Sequence, residues 1–352
     1  MNDRSRKNRS MLSRVIRHAL VGLLVLVCTA CLPQQELRLR GKTMGTTYNI
    51  KVVAGWLTSR GDLQARIDAR LASINRSMST YDPNSEISRF NGMASTTEFL
   101  AISDDFYNVL QVAAELHRLT DGAWDGTLDP LINLWGFGRR QTAGTVPDEE
   151  SIRQALSHVG FKHIRMGSAG VIAKGDPALN LDLASIAKGY GVDEIARLLG
   201  NAGFTDFLVE IGGEVFARGV RKDGRPWLVG INRPDRSAGV NDVYKALPLS
   251  DRAMATSGDY RIFFQIGERT YAHILDPRTG RPVRNGVVSA TVVAANCTVA
   301  DGLATALMVM GPEKGVALVN RLEGVECLII VRNSGGGLID HPSRGFVLHQ
   351  DR

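Results

Sequence analysis

Two oxygen-bearing side chains in "ADGLATALMVMG" have a spacing that suits metal binding. Asp301 and Thr305 are four residues apart, which on a helix places both on one face, a single turn from each other. Magnesium typically takes one or two carboxylates, a hydroxyl or carbonyl, and substrate phosphate oxygens, so this pair can supply half of its shell. An N-capping Asp and a Thr bonded to a helix carbonyl would explain the same residues.

The stretch "DLASIAKGYGVD" combines a predicted helix start with two glycines. Free backbone N–H groups near Ser185 and the charge of Lys188 attract anions, and Gly189 and Gly191 allow a close approach. A glycine inside a helix costs about 1 kcal/mol relative to alanine, which indicates a packing reason or a ligand. A capping Asp182, with glycines that relieve crowding of the helix, is the structural alternative.

Aromatic and basic side chains also occur where turns are predicted. Tyr81 in "STYDPNS" and Trp124 in "GAWDGTLDP" have flat rings that could stack on a flavin or adenine, and Asp125 is adjacent. In "HILDPRTG", Asp276 fits a turn, whereas the imidazole of His273 has an unperturbed pKa suited to proton transfer near neutral pH. Core packing is the alternative for each ring.

The first 30 residues are typical of an export signal. A cationic segment, "RSRKNRS", precedes an apolar run over 19–27 that is shorter than the about 20 residues of a membrane span. The following "CTAC" resembles a bacterial lipobox, which implies cleavage before Cys31, acylation of Cys31 and a location on the periplasmic face of a membrane. An ordinary secretory signal is the alternative.

This leader also carries most of the positive charge. Six Arg or Lys and one Asp lie in residues 1–30, so +5 of the formal net charge of +6 belongs there. The pI of 9.2 therefore does not indicate a nucleic-acid partner. Cys297 and Cys327 lie in apolar runs, where buried free thiols are favoured over a disulfide.

The order of the predicted elements favours an α+β fold with a mostly antiparallel sheet and packed helices. Strand-like segments dominate after residue 161, the last of them "GFVLHQ". We expect one compact or bilobal unit over 41–350, preceded by a signal peptide over 1–30 and a tether over 31–40. Apolar spacing and capping residues predict helices over 62–78, from Ser103 onward, and over 146–160, 185–199 and 300–310.

Common nucleotide and metal motifs are absent from the sequence. There is no GxxxxGK[ST], no HExxH and no paired CxxC, and no GxGxxG leads from a strand into a helix. Nine other segments nevertheless resemble, in order and over about residues 41–312, the ApbE-type FAD:protein FMN transferases. They are "KTMGTTYNI", "YDPNSEISRFN", "GAWDGTLDPLINLWGFG", "LDLASIAKGYGVD", "IGGEVFARG", "PWLVGINRP", "ATSGDY", "HILDPRTG" and "ADGLATALMVMG".

The resemblance implies a magnesium-dependent transfer of FMN from FAD to a Ser or Thr hydroxyl of a partner protein, with release of AMP. It places the metal site on the Ser185 carbonyl, Asp301 and Thr305. His273 or Asp276 would accept the proton of the hydroxyl. The implied FAD contacts are Met44, Tyr81, Ala123, Trp124, Asp125, Asp182, Lys188 and His273 to Leu275.

The implied partner is an extracytoplasmic subunit of a flavin-dependent electron-transfer complex with a DxxxGA[ST]-like acceptor motif. Three other functions fit parts of the sequence. The chain could be a lipid-anchored protein that binds FAD without catalysis, an FAD pyrophosphatase, or a structural envelope lipoprotein.

Overall fold

The structure is a computed structural model that describes residues 33–138, 146–168, 170–235, 238–239, 242–259, 263–266 and 269–347. The expected signal peptide and Cys31 lie outside the described residues. Within them the chain forms the helices α1 (Arg60–Met78), α2 (Glu86–Asn91), α3 (Asp104–Leu119), α4 (Asp129–Leu134), α5 (Glu149–Ser157), α6 (Ala184–Asn201) and α7 (Cys297–Val319).

The strands of the described residues are all paired antiparallel, and eight of them form one sheet, in the order β1-β2-β6-β7-β10-β15-β16-β17. Smaller units are the sheet β3-β5-β4 and the hairpins β8-β9, β11-β12 and β13-β14. In chain order the strands are β1 (Gln34–Thr43), β2 (Thr46–Gly55), β3 (Leu100–Ala101), β4 (Ile164–Gly167), β5 (Val171–Lys174), β6 (Phe207–Ile211), β7 (Glu214–Arg218), β8 (Trp227–Asn232), β9 (Val243–Leu249), β10 (Arg252–Gly258), β11 (Phe263–Ile266), β12 (Arg269–Ala272), β13 (Leu275–Asp276), β14 (Arg281–Pro282), β15 (Val287–Ala294), β16 (Glu326–Arg332) and β17 (Leu338–Pro342).

The large sheet is covered on both faces. Helices α1, α6 and α7 pack on one face, where they form the main cores with the strands. The β8–β9 hairpin packs on the other face, with Trp227 and Leu247 against Val215 and Met254. All eight residues of β15 are buried, because this strand lies between both layers, and its sequence is accordingly a nearly continuous apolar run.

A satellite core positions the segment "HILDPRTG". The rings of Trp135 and Tyr271 lie 5.8 Å apart, and Trp135 Nε1 donates to the carbonyl of Gly280 at 2.8 Å. Leu275 is buried in the same cluster, against α4 and α5. Gly280 has a φ of 68°, a conformation that favours glycine, and closes the turn between β13 and β14.

Helix α7 is long and apolar enough to cross a membrane, with a mean hydropathy of 1.2 over its best window. It is a core helix instead, because 61% of that window is buried against the rest of the chain. Its backbone breaks at Gly311, where φ is 78°, immediately before Pro312. The helix predicted over 300–310 therefore ends at the break, although helical structure continues beyond it.

The predicted α+β class and antiparallel sheet are confirmed. The predicted helices begin or end within a few residues of α1, α3, α5 and α6. Residues 34–40, which we expected to belong to a tether, instead pair with β2 as part of β1, because Leu37 and Leu39 alternate inward. The strand predicted from "GFVLHQ" is wrong over 345–347, which form a turn and coil, and residues 348–350 lie outside the described residues. Cys297 and Cys327 are buried and free.

Candidate active site

Two expected metal-site residues, Ser185 and Asp301, lie on the turns where α6 contacts α7. The backbone N–H of Gly189 donates to Oδ2 of Asp301 at 3.0 Å. In an α-helix an N–H lies beside the carbonyl four residues earlier, so the Ser185 carbonyl belongs to the turn of α6 that contacts Asp301. Thr305 is one turn further along α7, and its Oγ1 lies 3.0 Å from Oγ of Ser257 on β10.

The close contact between the two helices explains why α6 has a glycine at position 189. A Cβ at Gly189 would lie 2.4 Å from the carbonyl oxygen of Cys297 and 2.9 Å from Cβ of Asp301. One turn later on α6, the carboxylate of Asp193 accepts bonds from the N–H of Cys297 at 2.7 Å, the N–H of Thr298 at 2.8 Å and Oγ1 of Thr298 at 2.6 Å. Asp193 thus caps α7 from the neighbouring helix.

Asp301 is not a capping residue itself. The N-cap of α7 is Asn296, whose side chain accepts a bond from the N–H of Val299 at 2.9 Å. Asp301 therefore lies beyond the first turn, buried, with its carboxylate directed at α6 rather than at its own helix start. The capping explanation of this residue is wrong.

Two buried carboxylates share one ammonium group at this junction. Nζ of Lys188 lies 2.7 Å from Oε1 of Glu214 and 3.8 Å from Oδ1 of Asp301. Burial, together with the charge of Asp301, raises the pKa of Glu214 to about 8. Burial also raises the pKa of Asp301, although Lys188 opposes it. Burial would lower the pKa of Lys188, but the two carboxylates outweigh it and raise that pKa.

The donor set fits a magnesium ion. Oε2 of Glu214 is buried and has no hydrogen-bond partner among the described residues, and two carboxyl groups face one lysine, so a bound cation would favour the ionised form of both acids. No three His, Cys, Asp or Glu side chains cluster as a metal site within the part of the chain that the structure describes. A hard cation here would therefore rely on Asp301, the Thr305 hydroxyl, the Ser185 carbonyl and phosphate oxygens of a substrate, which are magnesium's usual ligands.

The segment around Trp124 supports the start of α6. Trp124 is buried in the main core, as is Ala123, and its Nε1 donates to Oγ of Ser185 at 3.0 Å. The ring is thus packed in the core and positions Ser185 rather than offering an open face. The N–H of Asp182 donates to the carbonyl of Gly126 at 2.8 Å, and Oδ1 of Asp182 accepts from the N–H of Ala184 at 2.8 Å.

Asp125 and Tyr81 differ in how they are held. The carboxylate of Asp125 accepts bonds from the N–H and Oγ1 of Thr127, at 2.8 and 2.6 Å, and its Oδ2 lies 3.2 Å from Nδ1 of His117. Hydrogen bonding to Asp125 raises the pKa of His117. Tyr81 is 80% exposed, which leaves its ring available for stacking. Met44 packs over Gly191, whose Cβ position would lie 3.0 Å from the Met44 methyl group.

The segment that carries His273 runs past the middle of α7. His273 is half-buried, and its neighbour Ile274 accepts a bond from the N–H of Val283 at 2.9 Å. Nδ2 of Asn285 in turn donates to the carbonyl of Met308, one turn beyond Thr305, at 2.9 Å. Ile274 and Met308 line one cavity of about 520 Å³.

Asp276 is less suited than His273 to accept a proton. Its two carboxylate oxygens lie 2.8 and 2.9 Å from Nε and the terminal NH2 nitrogen of Arg278. Burial alone would raise the pKa of Asp276, but these bonds outweigh it and lower that pKa. A carboxylate with a lowered pKa is a weak base near neutral pH.

Three residues of this site were not singled out from the sequence. Glu214 follows two glycines in "IGGEVFARG", Asp193 ends "DLASIAKGYGVD", and His117 lies in α3. A buried Glu is unusual, but in the sequence Glu214 only begins the strand β7 after two glycines, so its burial is not visible there. The partners of Asp193 and His117 lie on other elements, so no local pattern identifies them.

Comparisons with known proteins agree with this architecture. A model described as the ApbE family matches residues 44–329. An FAD:protein FMN transferase of Vibrio cholerae is 41% identical over 324 residues, 91% of this chain and 96% of that protein. One of Haemophilus influenzae is 35% identical over 331 residues, covering 92% and 95%. The solved structure of the flavin transferase ApbE from Vibrio cholerae aligns with a TM-score of 0.81 at 42% identity, covering 89% of this chain and 99% of that one. The chain belongs to the ApbE family.

Proposed function

We propose that this chain transfers FMN from FAD to a Ser or Thr hydroxyl of a second protein, with magnesium, and releases AMP. The transferase class follows from relatives that are FAD:protein FMN transferases and match 91% and 92% of this chain. The observation that carries the finer proposal is the α6–α7 junction. There two buried carboxyl groups, those of Glu214 and Asp301, face a single lysine, and this arrangement supports a site for a cation that binds a pyrophosphate.

The residues of the junction would divide the binding of the substrate. Asp301, Thr305 and the Ser185 carbonyl would hold the magnesium ion, which when bound neutralises negative charge on the phosphate oxygens. The first N–H groups of α6 also favour anions. Lys188 holds Glu214 and Asp301 in place, so we assign it a positioning role.

The proton of the acceptor hydroxyl would pass to the imidazole of His273. The hydroxyl oxygen forms a bond to the phosphorus of the FMN half while the bond from that phosphorus to the AMP oxygen breaks. AMP leaves with the electron pair of that bond. Since Asp276 is paired with Arg278, the His273 imidazole is the better proton acceptor of the two.

The acceptor would be an extracytoplasmic subunit of an electron-transfer complex with a DxxxGA[ST]-like motif. The leader sequence supports a location on the periplasmic face of a bacterial membrane, anchored through acylated Cys31. Both statements rest on the sequence resemblance.

An assay with three readouts tests the proposal. The chain from residue 32 onward is incubated with FAD, Mg²⁺ and a Thr-bearing acceptor, and the mixture is analysed for AMP, for flavin fluorescence on the acceptor and for FAD bound to the chain. Fluorescent acceptor together with AMP is the expected result. AMP alone would indicate a pyrophosphatase, bound FAD alone a storage protein, and no flavin uptake a structural lipoprotein; each of these would refute transfer.

A further inference from the structure

One tryptophan of this chain is exposed. Of the four tryptophans, Trp124, Trp135 and Trp227 are buried, whereas Trp56 is 55% exposed. The next residue, Leu57, is 76% exposed. Both lie in the turn between β2 and α1, so two large apolar side chains project together from one tip of the fold. Adjacent exposed apolar groups of this kind mark a contact surface.

This turn lies beside the N-terminal end of the described chain. In the pairing of β1 with β2, Gln34 is opposite Gly55. Nε2 of Gln35 donates to the carbonyls of Gly55 and Trp56, both at 3.3 Å. Gln34 is three positions beyond Cys31, and three residues span at most about 11 Å. Paired strands lie about 5 Å apart, so an anchor on Cys31 keeps Gly55, where the turn begins, within roughly 16 Å of the bilayer surface.

We propose that Trp56 and Leu57 enter the headgroup layer of the membrane beside the anchor and orient the enzyme on it. Tryptophan is enriched at this depth because its ring is apolar and its N–H is polar. Exposed Arg60, at the start of α1, adds a cation that favours anionic headgroups, with Asp62 as the nearest acid along the helix. The proposal rests on the anchor at Cys31 and is independent of the transfer chemistry.

The topology identifies a part of the fold that lies far from this turn. Strand β1 is one edge of the eight-stranded sheet and β17 is the other edge. Seven steps of about 4.8 Å place the two edges roughly 34 Å apart. Ile339 on β17 is 45% exposed, so it offers a matched apolar position at the far edge.

Quenching by brominated lipids tests the contact. A chain that begins at Cys31 is coupled through this thiol to vesicles with maleimide headgroups; Cys297 and Cys327 are buried and do not compete. The sheet and cores lie within residues 33–347, so this chain keeps them. We expect brominated acyl chains to remove most of the Trp56 emission, and the emission to shift to shorter wavelengths on coupling.

Two variants make the result specific. Trp56→Phe gives the background from the three buried tryptophans, and Trp56→Phe with Ile339→Trp reports the far edge. Equal quenching at positions 56 and 339, or none at 56, would overturn the proposal, as would a Trp56 shift produced by dimer formation without lipid. Because the coupling is chemical, these outcomes are separate from whether cells acylate Cys31 and from whether FMN is transferred.

Discussion

The α6–α7 junction and the turns that hold Tyr81 and Asp276 are stabilised in different ways. At the junction, hydrogen bonds join residues far apart in sequence, as between Gly189 and Asp301 or between Asp193 and Cys297. In the two turns the bonds are local: the N–H of Tyr81 donates to Oγ of Ser79, and Asp276 binds Arg278. The hydrogen bonds of the junction depend on tertiary structure, whereas those within the two turns are made between residues close together in the sequence.

This difference matters for the chemistry of the site. Stabilisation of charge requires donors and ligands that are in place before the substrate arrives, and the buried junction meets this requirement. The exposed ring of Tyr81 can instead adjust to a bound flavin. Substitutions at the junction should therefore affect both metal binding and the transfer rate. A substitution in one of the turns should affect either FAD binding or proton transfer, but not both.

Removal of the Asp301 carboxylate should have the largest effect. The Asp301→Ala variant loses the carboxylate of α7 that we propose as a magnesium ligand, and several kcal/mol of charge stabilisation correspond to a roughly 1,000-fold or greater loss of transfer rate. The measurement is AMP release and acceptor fluorescence against magnesium concentration. Full activity of the unmodified chain in EDTA would contradict the metal assignment.

Substitution of His273 should separate catalysis from binding. Loss of a general base costs typically 10²- to 10⁴-fold, so His273→Ala should slow transfer by about that factor. FAD affinity, measured by fluorescence titration, should change little. His158→Ala is the matched control, because His158 is also a partly exposed histidine and has no role in the proposed reaction; its Nδ1 lies 2.7 Å from the carboxylate of Asp176. An unchanged rate in His273→Ala would exclude it as the base.

A substitution of Asp193 tests whether its hydrogen bonds to the start of α7 position the proposed metal ligands. Asp193→Asn keeps the size of the side chain but weakens its bonds to the N–H groups of Cys297 and Thr298. Since residues that orient ligands typically affect metal affinity by 10- to 100-fold, we expect about a 10-fold weaker affinity for magnesium, measured by calorimetry in the presence of FAD and without an acceptor.

A variant of Asn296, the N-cap of α7, distinguishes a role of Asp193 in positioning the proposed ligands from an effect on the stability of α7. Asn296→Ala removes the bond to the N–H of Val299 at the start of α7 but leaves the contact with α6. It should lower the melting temperature, because loss of an N-cap costs typically about 1 kcal/mol, without a comparable loss of magnesium affinity. Equal losses of magnesium affinity in both variants would show that Asp193 acts only through helix stability.

The sequence predicted the two regions to different extents. Helix spacing located Asp301 and Thr305 on one face, and alternation predicted most strands of the sheet. The partner of Asp301, the N–H of Gly189, lies 112 positions away, and such pairing depends on tertiary packing that no local pattern encodes. Glu214 was missed for the same reason, since its importance comes from burial beside Lys188. The turn at Asp276 could be predicted, because its bonds are made within three residues.

The smallest expected effect concerns the pair of His117 and Asp125, and it depends on pH. Because Asp125 raises the pKa of His117 in the folded chain, the stabilisation is fully present below about pH 6.5, the unfolded value, and is lost as pH rises through the folded value. His117 is partly exposed, so the pair contributes about 1 kcal/mol or less. Urea unfolding of His117→Gln and the unmodified chain should differ more at about pH 5.5 than at about pH 8.5. A difference that does not change with pH would mean that His117 stabilises the loop through its stacking on Phe161, at 5.7 Å, rather than through its charge.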